Sequence, residues 1–313
     1  MRTPITSPDG TPASKLAFGA MQFGGRADKA ASSAMFHACV EAGITHFDTA
    51  HLYNDGASET LLGQLAAPIR EHLVIATKAG YSGGAGTENM LAQFDLSRQR
   101  LNMDMVDILY LHQFDPDTDI SETLAAFATL QQRGQIRYVG LSNFAAWQVM
   151  KAQCVAQDFD LKIDILQPMY NLVKRQAEVE ILPMCVDQDI AVAPYSPLGG
   201  GLLSGKYGAG GSGRLTEDDR YAARYSPDYM HRAAQRLTDL AHEIETHPAT
   251  LAVAWAAAHP SAPTPIISGR APDQIAPSLA ALDYPMTPAL YDRISALSPT
   301  PPPATDRLEE TNL

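Results

Sequence analysis

Short apolar runs alternate along the chain with longer stretches whose apolar residues recur at helical spacing. The runs cover residues 16–20, 45–50, 73–78, 105–112, 136–142, 163–170, 190–195 and 264–268. Each reads as a buried strand, and each intervening stretch as an amphipathic helix. Between residues 119 and 132, Asp119 and Glu122 suit a capping box, while Leu124, Phe127 and Leu130 share a face and Gly134 offers a stop. Similar spacing predicts helices over 29–41, 58–65 and 272–281. Strand and helix in alternation imply parallel, right-handed crossovers. Eight strands is the number of a closed barrel, although a doubly wound open sheet would give the same local pattern.

Three segments fall outside the repeat. Residues 1–15 carry a turn at Ser7-Pro8-Asp9-Gly10 and predict a β-hairpin plugging one end of the barrel. The glycine-rich stretch 199–213 predicts a mobile loop over the site, and the proline-rich stretch 299–304 an extended tail. The expected architecture is therefore α/β: one (β/α)8 TIM-barrel domain over residues 1–313, with an N-terminal hairpin, extra helices near the C-terminus and a tail from about 299.

Composition narrows the function. A length of 313 residues, 45% hydrophobic, suffices for one such barrel. A net charge of −12 disfavours nucleic acid and anionic membranes as partners and leaves a small molecule. Cys39, Cys154 and Cys185 form neither a disulfide framework nor a zinc pattern, and no leader or long apolar run is evident, so a cytoplasmic location is expected. Nothing here fixes an oligomeric state.

Polar residues crowd the C-terminal ends of the runs: Asp48 followed by Tyr53, then Lys78, His112, Ser142 and Asn143, Gln167, Tyr195 and Ser196, and Ser268 with Arg270. In a parallel barrel those ends open on one face, where active sites are built. A tyrosine, with a free pKa near ~10, is a poor acid at neutral pH, and a nearby cation lowers that value by ~1–3 units. Lys78 would be that cation for Tyr53, Asp48 would hold the ammonium, and His112 would direct a carbonyl oxygen. The chemistry still needs a hydride donor, which none of the four can be. Other readings stand beside it: an Asp48–Lys78 pair that is only structural, or a Lys78 that forms a Schiff base with a carbonyl substrate.

The strings ITHFDTAHLYNDGASETLLG, ATKAG, LYLHQFD, VGLSNF, QPMYN and YSPLGGGLLSGKY, in this order, resemble the aldo-keto reductase superfamily over residues 16–282. The last resembles the bacterial branch similar to potassium channel β subunits. The resemblance implies reduction of a small aldehyde or ketone by NADPH, with NADH as the alternative, and assigns Asp48, Tyr53, Lys78 and His112 as the catalytic set with Tyr53 the acid. It implies that Ser142, Asn143 and Gln167 hold the nicotinamide carboxamide and that Tyr195 stacks on the ring. Ser196, Leu198 and Gly200 would strap the pyrophosphate, and Ser268, Gly269, Arg270 and Gln274 would grip the adenosine end, Arg270 facing a 2′-phosphate. Ser268 and Ser278, the latter after Pro277, depart from the family pattern and weaken a strict NADPH preference. The likeness to channel subunits also admits a cofactor-binding regulatory role.

Several motifs carry blander expectations. Gly200 to Lys206 imitates a phosphate-binding P-loop but lacks the following small hydroxyl, so it is assigned no ligand. His46 and Asp48 alternate without a further ligand pair, so no metal is expected. Trp147 is expected to pack its helix, while Met21 and His51 are left between site and scaffold.

Overall fold

The computed structural model describes residues 4–208, 210–307 and 309. The eight runs become eight strands: β1 (Ala17–Gly19), β2 (His46–Asp48), β3 (Val74–Ala79), β4 (Val106–Leu111), β5 (Ile136–Ser142), β6 (Ile165–Gln167), β7 (Ala191–Val192) and β8 (Ile266–Ile267). Between and after them run α1 (Lys29–Glu41), α2 (Ala57–Ala66), α3 (Thr87–Leu101), α4 (Ile120–Gln132), α5 (Ala146–Ala156) and α6 (Ile181–Asp187). Then come α7 (Arg214–Glu217), α8 (Asp219–Arg224), α9 (Asp228–Glu243), α10 (Pro248–Ala257), α11 (Pro272–Leu279) and α12 (Pro288–Ser295).

All strand pairs are parallel, in the order β7-β6-β5-β4-β3-β2-β1-β8. The remaining seam closes through a parallel bridge between Tyr195 and Ile266 and through Thr264 N–H to Val192 O (2.7 Å) and Ile266 N–H to Pro194 O (2.8 Å). The sheet is thus a cylinder, and the open-sheet alternative falls.

Strands in such a cylinder are covered on both sides, which is why they read as continuous apolar runs. Their outward residues join the helices in one large core, while Ala17, Val74, Ala76, Ile108, Tyr110, Ile165, Ala193 and Ile266 fill the inside. Period-two alternation makes each strand's inward series turn polar toward its C-terminal end: Val74, Ala76, Lys78; Ile108, Tyr110, His112; His46, Asp48; Ile165, Gln167. Small residues are needed inside, since a Cβ on Gly140 would lie 2.3 Å from the Tyr110 ring.

The opposite end is plugged as expected for the described part of the hairpin. Thr6 pairs with Pro12, Ala13 N–H bonds Ile5 O at 2.9 Å, and Ile5 enters the inner cluster. Residues 1–3 of that segment lie outside the described residues. One local expectation is corrected: Asp119 caps α4 through Ser121 N–H (2.9 Å), but the Glu122 side chain returns no bond to the Asp119 backbone, so the box is half made.

Candidate active site

At the polar end of the barrel Asp48, Tyr53, Lys78 and His112 come together. Lys78 is 1% exposed and its ammonium donates to Asp48 Oδ1 and to Thr49 O (2.7 Å). Asp48 Oδ2 accepts from Gln167 Nε2 at 2.9 Å, tying β2 and β3 to β6. Tyr53 stands at the head of a turn where Asn54, Asp55 and Gly56 all take positive φ (49°, 53° and 91°). Asn, Asp and Gly are the residues that tolerate this conformation best. The Asn54 amide clamps that turn to the loop after β1 by donating to Met21 O (2.9 Å) and Phe23 O (2.8 Å). Gly25 leaves the room for it, since a Cβ there would meet Asn54 at 2.5 Å. The clamp brings the Tyr53 ring to 5.1 Å from Lys78 Nζ and edge-on to His112, centroids 5.9 Å apart.

The electrostatics correct one expectation. Burial raises the Tyr53 proton affinity, and Lys78, which pulls it down, does not fully offset that, so the phenol sits above its ordinary pKa rather than below it. Burial alone would discharge Lys78, but the Asp48 carboxylate and Tyr53 outweigh it and hold the ammonium above its usual range. His112 is lowered to about 3 by burial and then by Lys78, and therefore stays neutral. Beneath them His46, lowered to about 4 by burial, is also neutral.

Around the set lie the residues expected to hold a nicotinamide. Ser142 Oγ sits 3.2 Å from Gln167 O and 3.5 Å from Gln167 Oε1, long contacts for a hydroxyl that leave its proton easily redirected. Asn143, in a left-handed conformation (φ 61°), donates to His112 O (2.9 Å) and Ser142 Oγ (3.1 Å), and its Oδ1 accepts from the Tyr195 hydroxyl (2.7 Å). Ser196 (φ 60°) and Gly200 (φ 67°) bend the strand-to-turn passage after β7, where Leu198 O accepts from both Gly201 and Leu203.

The residues expected at the adenosine end divide. Arg270 N–H bonds Gln274 Oε1 (3.1 Å), and Gly269 must lack a Cβ because one would lie 2.5 Å from Ile275. Ser268 instead spends its hydroxyl on Gly19 O (2.9 Å), fastening β8 to β1. Ser278 is 1% exposed on the inner side of α11, while the Pro277 carbonyl accepts from Thr250 Oγ1 (2.7 Å).

Sequence reasoning missed a cationic cluster here. Arg26 and Arg270 both reach Glu217 on α7 (2.5 Å and 3.0 Å). Lys206 lies against Gly201 and Gly213, where a Cβ would approach it within 2.7 Å and 2.2 Å respectively. Burial, then Arg270 and Arg214, lower its proton affinity despite Glu217. Lys206 had no assignment because it was compared with a P-loop, whereas here it belongs to a 3-10 turn (Gly199–Ser204) and its continuation. Trp147 also departs from expectation: it is 63% exposed and meets Phe114 edge-on at 5.7 Å instead of packing its helix. His51 is drawn toward α3, with Ser97 and Arg100 each 3.4 Å from Nδ1.

The sequence matches the model of the Aldo/keto reductase family over residues 15–299. It is 32% identical over 315 residues to a "Probable voltage-gated potassium channel subunit beta" of Oryza sativa subsp. japonica, covering 94% of this chain and 95% of that one. It is 30% identical over 308 residues to "Uncharacterized oxidoreductase YrpG" of Bacillus subtilis (strain 168), covering 92% and 93%. Against the human "Aflatoxin B1 aldehyde reductase member 2" it is 39% identical over 196 residues, 60% of this chain and 54% of that protein.

Proposed function

Since the chain belongs to the aldo/keto reductase family of oxidoreductases that reduce carbonyl groups, we propose that it uses NADPH to reduce a small aldehyde or ketone, with Tyr53 as the proton donor. The observation that carries this reading is the meeting of Tyr53 with a Lys78 ammonium anchored by Asp48 at the open end of the barrel.

Tyr53 delivers its phenolic proton to the carbonyl oxygen. The phenolate left behind is stabilised by Lys78, whose charge Asp48 and Thr49 O keep in place. In the free protein the phenol is held high, which protects the proton until a substrate oxygen gathering negative charge draws it off. His112, kept neutral, directs that oxygen through a hydrogen bond. When bound, NADPH supplies the hydride for the carbonyl carbon. Ser142, Asn143 and Gln167 offer hydrogen bonds to its carboxamide, and Tyr195 offers a ring face. Ser196, Leu198 and Gly200 bend along its pyrophosphate, while Ser268, Gly269 and Gln274 frame its adenosine end.

The cluster fits the phosphates: Arg26, Lys206, Arg214 and Arg270 surround Glu217 in a chain of net charge −12, and the repulsion that lowers Lys206 would be relieved by an added anion. That favours NADPH over NADH. Lys78 is a poor Schiff-base nucleophile here, since it is kept protonated. Free thiols at Cys39, Cys154 and Cys185 agree with a cytoplasmic enzyme.

The test is Tyr53→Phe. Turnover with a simple aldehyde should fall by about 10²–10⁴-fold with the cofactor Kd nearly unchanged. Equal turnover would refute the role of Tyr53, and wild-type protein that binds NADPH yet oxidises none of it with any aldehyde or ketone would favour a regulatory subunit.

A further inference from the structure

The short helix α8 crosses the open end of the barrel, and each of its long side chains meets a different wall of the site. Arg220 is close enough to Tyr81 for the two to influence each other's charge, and Tyr81 stands 5.0 Å from His112, centroid to centroid. Tyr221 is near enough to Tyr53 and Tyr195 to weigh on the proton affinity of both. It is held between two guanidinium groups, those of Arg214 and Arg224, each 5.1 Å from its ring centroid, and Arg214 also donates to its hydroxyl at 2.9 Å.

Arg224, at the end of α8, is half-buried and makes no ion pair with a described residue. Its charge reaches Tyr195 on one side and Lys174 on the other. Lys174, also half-buried and likewise without an ion pair among the described residues, lies 5.7 Å from the centroid of the Tyr225 ring. Tyr225 is fully buried and fixed to the passage after β7, because Asn171 Nδ2 touches its hydroxyl (3.3 Å) and donates to Ser196 O (2.9 Å). Two cations are therefore held on aromatic faces, repelling one another, beside the residues that would bear the nicotinamide and the proton donor. Acidic residues outnumber basic ones 35 to 23 in this chain, so a carboxylate was not scarce. The folded protein leaves these two charges without one.

We propose that Arg224, supported by Lys174, is an anion subsite within the substrate pocket, and that the substrates of this enzyme are aldehydes or ketones carrying a carboxylate. The subsite rests on the reductase reading above. It is separate from the cluster around Glu217, whose cations belong to the loops after β1, β7 and β8. A guanidinium stacked on Tyr221 keeps its donor edge free for a planar carboxylate, and the low exposure of both cations makes an incoming anion worth more than it would be in water.

The experiment pairs 4-carboxybenzaldehyde with the methyl ester of the same aldehyde, which keeps the carbonyl and the ring and removes the charge. NADPH oxidation is followed for wild type, Arg224→Met, Arg224→Lys and Lys174→Met. Wild type should prefer the carboxylate, and Arg224→Met should lower that preference by about 10- to 100-fold, mainly through KM. Arg224→Lys should restore part of it, and Lys174→Met should produce a smaller loss. Turnover of both aldehydes without a wild-type preference, or with Arg224→Met lowering both equally, would overturn the anion subsite and leave the reductase standing. No turnover of either aldehyde, or of any other carbonyl compound, would overturn both.

Discussion

Replacing Asp48 by Asn removes the one full charge that compensates Lys78 in a site where the ammonium is 1% exposed. Breaking a buried pair from one side costs about 3–5 kcal/mol, because the remaining charge is neither solvated nor matched. At ~2.1 cal/mol/K per residue, 313 residues give an unfolding entropy of ~0.66 kcal/mol/K, so the thermal midpoint should drop by about 5–8 °C at pH 7. Lys78 binds its proton more tightly folded than unfolded. The contribution of the pair is therefore fully present below the ordinary lysine value of 10.5 and is lost as pH rises through the higher folded value. In Asp48→Asn, burial dominates instead, Lys78 discharges at a lower pH, and Tyr53 loses the charge that would receive its phenolate. Thermal unfolding from pH 6 to 11, with activity at each pH, checks both effects. The double variant Asp48→Asn/Lys78→Met should recover part of the loss, since no orphan charge remains. A shift under about 2 °C in the single variant, or strictly additive losses in the double, would refute a low-dielectric pair.

Two other substitutions probe the scaffold and the cofactor end. Gly140→Ala sets a Cβ 2.3 Å from the Tyr110 ring and should cost about 1–3 kcal/mol by overpacking, measured by chemical denaturation and recovered when Tyr110→Val is added. Glu217→Gln loosens the contacts to Arg26 and Arg270, and cofactor release in stopped flow should quicken by about 2- to 5-fold, as suits exposed pairs. High salt should quicken wild type in the same way and the variant hardly at all.

Much of the barrel is visible in the order of residues, because strands covered on both faces must be apolar throughout. The edges of the runs are less visible. The seventh run extends to Tyr195, yet β7 ends at Val192, since Pro194 has no N–H for the ladder. Closure is not local at all: Ala17 meets Ile266, and no pattern around either residue announces the other. In the site, Asp48, Lys78, His112 and Gln167 follow from their place at strand ends. The charges around Glu217 do not, because Arg26, Lys206, Arg214 and Arg270 come from three separate loops. Nor does the proton affinity of Tyr53, since the sequence names its cation but carries no measure of how far the phenol is removed from water.

The seam of the cylinder deserves a thermodynamic reading. β7 and β8 have two residues each, and the bonds between their edges are few. Tyr195 borders the seam on one side, and the Ser268 to Arg270 turn continues it on the other. A dinucleotide gripped by both would act as a stitch across the weakest join, so that opening this edge requires releasing the ligand first. Amide exchange at Thr264 and Ile266 would then slow as the ligand concentration rises, and the enzyme would resist proteolysis most when its reductant is abundant.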